Sequence, residues 1–270
     1  MMPTADAAAR LFPDAAADFR IGLTPIDPSA WLEGGEADPA ARKDPLFESR
    51  RPLVWGELEG SRPGQAEVLD LVGGEDGPQW PPLYAAARTV ADDLCLMERT
   101  ADDWRLTALS LSAGTFFTAR DALGKSLADL HAAVPGFDSR FLVRVRRIFD
   151  NLAPDSVLER RNWTVTNAEP LFAPRSAPFR ARVGEIAAEA AGEALFIRME
   201  RQTVRRLPRT GGVLFTIRIW RHALADLRAD PERLAAFATA WRTAAPDFAR
   251  YKGFALYAPL VESFLRASGE

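Results

Sequence analysis

ALFIRMERQTVRRLP, Ala194–Pro208, then a turn at Arg209-Thr210-Gly211, then GGVLFTIRIW, Gly211–Trp220, is the stretch that decides the fold. Both arms are rich in β-branched and aromatic residues and alternate with a period of two, the pattern of a long β-hairpin. In the first arm Arg198, Glu200 and Gln202 fall on one side, with Ile197, Met199, Arg201 and Thr203 on the other. The second arm sets Val213, Phe215, Ile217 and Ile219 against Leu214, Thr216, Arg218 and Trp220. Which sets share a face depends on the loop, so the register stays open at this level. Neither face of the first arm is purely apolar. That admits two readings, an exposed face laced with cross-strand ion pairs or a sheet whose polar groups line a pocket.

Working outward, Asp93–Glu98 and Trp104–Leu109 read as a second hairpin around a polar turn at 100–103, and VLERRNWTVT, Val157–Thr166, reads as a strand carrying Arg160, Arg161, Asn162 and Trp163. Helical periodicity fills the gaps. It runs through Leu83–Val90, through Phe141–Leu152 with Asp138-Ser139 as the expected cap, through the alanine-rich Ala181–Ala191, and through the C-terminus, restarted at Asp230-Pro231. Near the start, Asp27-Pro28-Ser29 is a helix-start signal, and Trp31-Leu32 is expected to dock that segment on the body. The elements are compatible with an α+β fold, an antiparallel sheet with flanking helices and N- and C-terminal helical extensions. Residues 1–18 are expected to be a flexible arm and 19–270 a single domain.

The 270 residues are 47% hydrophobic and 26% charged, enough to bury a core without staples. A net charge of -3 supplies no basic field to recruit nucleic acid or an anionic membrane. The single cysteine, Cys95, excludes an internal disulfide framework, a thiolate zinc site, an iron–sulfur cluster held by this chain alone and paired-cysteine haem attachment. No window approaches the length of a membrane span, and acids and prolines stand where a signal peptide needs an apolar core, so the expected location is cytoplasmic. GGEDG, 73–77, lacks the spacing and the following Lys-Ser or Lys-Thr of a phosphate-binding loop.

Of the two histidines, His131 closes the helical pattern of GKSLADLHAAVPGF, Gly124–Phe137; it shares a face with Leu127 and Leu130 before Pro135-Gly136 breaks the chain. A neutral imidazole at a helix end can hold a haem iron from one side. The same pattern also suits a hydrogen-bonded core histidine. His222, beside Arg221, reads as exposed; Cys95 and Met97 lie in an apolar strand and read as core.

Four blocks in fixed order carry a resemblance: LHAAVPG at 130–136, Arg161-Asn162-Trp163, RMERQTVRRLP at 198–208 and GVLFTIR at 212–218. Together with GLTPIDPSAWLE, DDLCLMER and Tyr251-Lys252-Gly253, the chain from about Phe19 resembles the haem-dependent oxidative N-demethylase family. The resemblance implies a PAS-like fold, haem b with a histidine ligand to iron that corresponds to His131, and oxidative demethylation of a small methylamine such as dimethylamine by oxygen. Two departures are visible: Ala133 stands where a proline is expected, and LSAGTFF, 111–117, lacks the expected proline-serine turn and tryptophan.

On that resemblance, Glu200 is expected to face a cationic amine, because a protonated amine in an apolar pocket needs an acceptor. Arg161, Arg205 and Arg206 are expected to meet the haem propionates. FMN, an iron–sulfur cluster, NADPH and tetrahydrofolate belong to partner subunits, so a partner reductase supplies the electrons. The competing readings are a haem-binding PAS-like sensor without turnover and a cofactor-free interaction protein.

Overall fold

A computed structural model describes residues 17–270. Most of the expected 1–18 arm therefore lies outside the described residues. The strands are β1 (Thr24–Ile26), β2 (Trp55–Glu57), β3 (Asp93–Arg99), β4 (Trp104–Ser110), β5 (Val157–Thr166), β6 (Phe196–Arg206) and β7 (Val213–Ala223). Among the described residues they form one sheet in the order β1-β5-β6-β7-β3-β4-β2, and every pair in it is antiparallel. The α-helices are α1 (Pro39–Val54), α2 (Arg62–Val72), α3 (Pro82–Ala87), α4 (Ala119–Ala122), α5 (Leu127–Leu130), α6 (Phe137–Arg140), α7 (Leu142–Asn151), α8 (Ala177–Ala181), α9 (Ala191–Ala194), α10 (Pro231–Arg242), α11 (Pro246–Lys252) and α12 (Phe254–Ala267). None of the helices described is long and apolar enough to cross a membrane.

The register left open by the sequence is fixed by a six-residue connection. Arg206 pairs with Val213, and inside that pair the Leu207 N–H donates to the Gly212 carbonyl at 2.8 Å. Gly211 takes a positive φ of 73°, the conformation glycine adopts without steric cost. From α2 the buried Glu67 carboxylate clasps the loop, accepting from the Arg209 N–H at 2.6 Å, the Thr210 N–H at 2.8 Å and the Thr210 hydroxyl at 2.6 Å. Glu200 consequently opposes Ile219, and Arg201 opposes Arg218.

Strand alternation then sorts the sheet into two differently covered faces. One face carries Leu158, Val204, Phe215 and Ile217, which pack with Leu127, Leu130, Phe137 and Phe149 of α5–α7 and with Phe141 at the bend before α7. The other carries Val157 and Leu214, packed with Trp31, Phe47 and Tyr84, and further along Trp163, Ile197 and Met199, packed with Phe237, Trp241, Phe254 and Phe264 of the C-terminal helices. Trp31 docks as expected: it is 4% exposed and its indole N–H donates to Thr203 Oγ1 at 3.0 Å. Cys95 and Met97 are core residues.

Two helical expectations are corrected. Asp138 and Ser139 do not cap a helix; they sit inside the one-turn α6, and the chain bends at Phe141 (φ -124°) before α7 starts without a side-chain cap. The alanine-rich 181–191 stretch is broken into single turns by the extended backbone of Ile186 and Ala187. Alanine propensity alone does not hold a helix that lacks an apolar face to bury.

Candidate active site

His131 ends a helix of one turn. Ser126 and Asp129 close a capping box at its start, with the Asp129 N–H donating to Ser126 Oγ at 3.2 Å and the Ser126 N–H to the Asp129 carboxylate at 3.3 Å. This fixes the turn from which the imidazole projects. Nδ1 lies 2.8 Å from the Leu127 carbonyl oxygen. A carbonyl only accepts, so Nδ1 carries the hydrogen and Nε2 is left with its lone pair. The ring stacks on Phe137 at 4.2 Å between centroids and 6° between planes. Burial lowers the imidazole pKa; the bond to Leu127 opposes that effect and the nearby Arg160 charge adds to it. The result is a neutral, oriented imidazole with a free donor pair, the state a metal ligand needs.

Beyond Leu158, the sheet face under α5–α7 turns polar. β5 contributes Arg160 and Asn162, β6 contributes Gln202, Glu200 and Arg198, and β7 contributes Ile217 and Ile219 in the same alternation. Glu200 accepts from Arg198 and, at 2.6 Å, from the Gln202 amide. Burial acts to raise its pKa, but Arg198, Lys252 and Arg160 outweigh it and hold the carboxyl down at about 2. Lys252, at the end of α11, is pushed down to about 8 by burial and by the two arginines, against the pull of Glu200. Burial and the Glu200 charge together raise the Tyr251 phenol.

The 111–117 segment closes against this cluster. The Asp93 carboxylate accepts from Ser112 N–H at 2.6 Å, Ser112 Oγ at 2.7 Å and Ala113 N–H at 3.0 Å, and the Ala113 carbonyl accepts from Arg198 at 3.3 Å. Three residues on, Phe116 occupies the left-handed region at φ 66°, held by its N–H to the Ala173 carbonyl at 2.6 Å. Its ring and that of Phe117 are each 37% exposed.

Not all the residues singled out in the sequence meet here. Arg161 and Arg205 point to the opposite face, because a strand turns successive side chains to opposite sides. Arg161 is bound there to Glu159 at 2.9 Å and Glu33 at 3.1 Å, and the Arg205 guanidinium lies 4.4 Å from the centre of the Trp31 ring. Arg206 has the parity of Glu200 but donates to the Phe149 carbonyl at 2.8 Å, tying down the end of α7. The propionate role expected of these three arginines does not fit this geometry. Arg160, Arg198 and Lys252 were missed as site residues; the helices over Leu158 and Val204 are what select Arg160 above its neighbour. His222, expected to be exposed, is half-buried on the opposite face, with Nδ1 3.9 Å from Asp226.

Among the described residues no three histidine, cysteine, aspartate or glutamate side chains converge to hold a bare metal ion. One imidazole suffices where a porphyrin brings four nitrogens of its own. The buried Nε–H groups of Arg160 and Arg198 have no hydrogen-bond partner among the described residues, which suits a group bearing carboxylates. These donors fit haem. An α+β chain with one oriented imidazole beside a charged sheet face has the parts of a single-histidine haem protein. Residues 58–261 match the family model described as haem-dependent oxidative N-demethylase, alpha subunit-like, and the chain belongs to that family. The matched span contains His131 and every residue of the facing cluster.

Proposed function

We propose that this protein is the haem-bearing component of an oxidative N-demethylase that takes a small methylated amine and oxygen, draws electrons from a separate reductase, and releases formaldehyde and the shorter amine. The observation that carries the reading is the His131 imidazole, held in one tautomer by Leu127 in a chain of this family. His131 would hold the iron through Nε2. Haem, when bound, supplies oxygen activation and the oxidation of an N-methyl group.

Glu200 is the carboxylate we assign to the amine. A carboxylate has about four acceptor positions, and Arg198 and Gln202 take only two of them. It stays ionised at any working pH, so an N–H of the amine finds an acceptor there. Ile217, Ile219 and the Phe116–Phe117 pair supply apolar surface for methyl groups. The sole cysteine is buried in β3, so this chain alone cannot ligate a four-cysteine cluster; on the family resemblance we assign the reductase chemistry (FMN, an iron–sulfur cluster, NADPH) to a partner, with tetrahydrofolate as the formaldehyde acceptor.

The test is the absorption spectrum of protein expressed with ample haem precursor, followed by oxygen uptake and formaldehyde release with a chemical reductant and a panel of methylamines. A Soret band that shifts with one amine, and turnover of that amine, is expected. A Soret band with no amine-dependent turnover would make the protein a sensor, and no Soret band after reconstitution would return His131 to the core.

A further inference from the structure

We infer that Arg160, Arg198 and Lys252 form the anchor for the two propionate groups of haem, an assignment that rests on the haem reading above. The excess of positive charge around Glu200 motivates it. Three cations, Arg160, Arg198 and Lys252, all act on Glu200, the carboxylate among them. Arg20 adds its charge to that of Arg160, so the cations outnumber the one carboxylate, and haem carries two carboxylates. Buried charge without a counter-charge is costly, so a cluster of this kind is built for an anion.

The placement agrees. Asn162 opposes Glu200 and Thr164 opposes Arg198, while Arg160 opposes Gln202, so the two arginines flank Glu200 on one face. They stand about 13 Å apart along the strand pair, at 3.3 Å per residue, and long side chains converge across that span. Arg198 is 7% exposed, and the Nε–H of each arginine is buried without a partner. Lys252 has aromatic rings beside it, Phe248 at 5.5 Å and Tyr251 at 5.7 Å, and no hydrogen bond among the described residues.

Arg221, opposite Arg198 on the same face, lies over the Phe196 ring at 4.6 Å, and the remaining arginines of β5–β7 have partners or lie on the other face. Arg161 and Arg201 hold Glu159 and Glu33, Arg218 reaches Glu36 at 3.5 Å, and Arg206 holds the Phe149 carbonyl. Arg205 and Arg218 also keep unpartnered Nε–H groups, but on the face away from His131.

The experiment compares haem with its dimethyl ester, in which both propionates are uncharged. Each is loaded into the full-length protein, and its release to excess apomyoglobin is timed from the Soret change. The wild type is expected to release the ester at least about ten-fold faster, the equivalent of one charge-assisted contact. In Arg160→Met, Lys252→Met and the double variant the ester-to-haem ratio is expected to fall stepwise toward one, whereas Arg160→Lys retains part of it. Because the ratio is taken within each protein, a general loosening of the fold cancels. Equal release of the two forms by the wild type, or a ratio untouched by the variants, overturns the assignment while leaving haem binding in place. If neither form gives a wild-type Soret band, the haem reading itself fails and the anchor with it.

Discussion

Nδ1 of His131 and the carbonyl oxygen of Leu127 stand 2.8 Å apart, one helical turn back along the same chain, so the backbone sets which nitrogen of the imidazole is free. Burial lowers the imidazole pKa below its ordinary 6.5. As pH falls, the unfolded chain therefore takes up this proton before the folded one does. The contribution to stability is intact above about 6.5 and is lost as pH drops through the lower folded value. Haem retention is expected to be flat from pH 8 to 6.5 and to decline only below that, followed by the Soret band. His131→Gly is expected to lose the wild-type spectrum and to regain a ligated one with added imidazole; a wild-type spectrum without rescue would refute the ligand.

Phe116 sits in the left-handed region, which costs a non-glycine residue about 1 kcal/mol or more. Its side chain is too exposed to recover much of that by burial. Phe116→Gly is therefore expected to leave the melting temperature unchanged or to raise it by a few degrees. If the ring forms part of the amine pocket, the same variant raises KM for the amine. A large drop in melting temperature would show that Phe116 is structural.

Arg201 is 1% exposed and donates to Glu159 at 2.5 Å, to the Trp31 carbonyl at 2.7 Å and to the Ala30 carbonyl at 2.6 Å. It ties the N-terminal segment to the middle of the sheet. Arg201→Met strands the buried Glu159 carboxylate and is expected to cost about 3–5 kcal/mol in denaturant unfolding. Arg201→Met with Glu159→Leu is expected to recover much of that loss. A double variant as unstable as the single one would locate the cost in packing.

Asp92 is fully buried, neither carboxylate oxygen has a hydrogen-bond partner among the described residues, and the Thr216 hydroxyl beside it is paired with Thr203 at 2.7 Å. Burial raises its pKa to about 6, with Lys43, Arg218 and Arg201 pulling the other way. Here the folded state holds a proton that the unfolded chain releases between about pH 4 and 6, so stability falls as pH rises through that window. The effect is on the order of 3 kcal/mol. Asp92→Asn is expected to match the wild type near pH 4 and exceed its stability at pH 7.5, measured by urea unfolding. A constant difference at both pH values would contradict this.

The strands were readable because their signal is local. β5 begins and ends where VLERRNWTVT does, and the 93–110 hairpin turns at its polar residues. What the sequence left open was the choice of face. Arg160 and Arg161 are equivalent in any local pattern, and only the packing of α5–α7 over Leu158 and Val204 puts one beside His131 and the other beside Glu159. Lys252 lies about fifty residues beyond Glu200 and reaches it through tertiary folding, for which no periodicity gives a sign. The short helices failed for the converse reason, since caps and alanines report propensity and not the surface a helix has to cover.

β6 carries two arrays on one strand, with Arg201 and Thr203 wired to the N-terminal segment and Arg198, Glu200 and Gln202 turned to the candidate pocket. Substitutions on the second array leave the first untouched, so pocket chemistry can drift, or be redesigned for another amine, without loosening the scaffold. Insertion or deletion of a single residue exchanges the two arrays at once. For an engineer the strand is a plug-board that accepts new side chains and rejects new spacing.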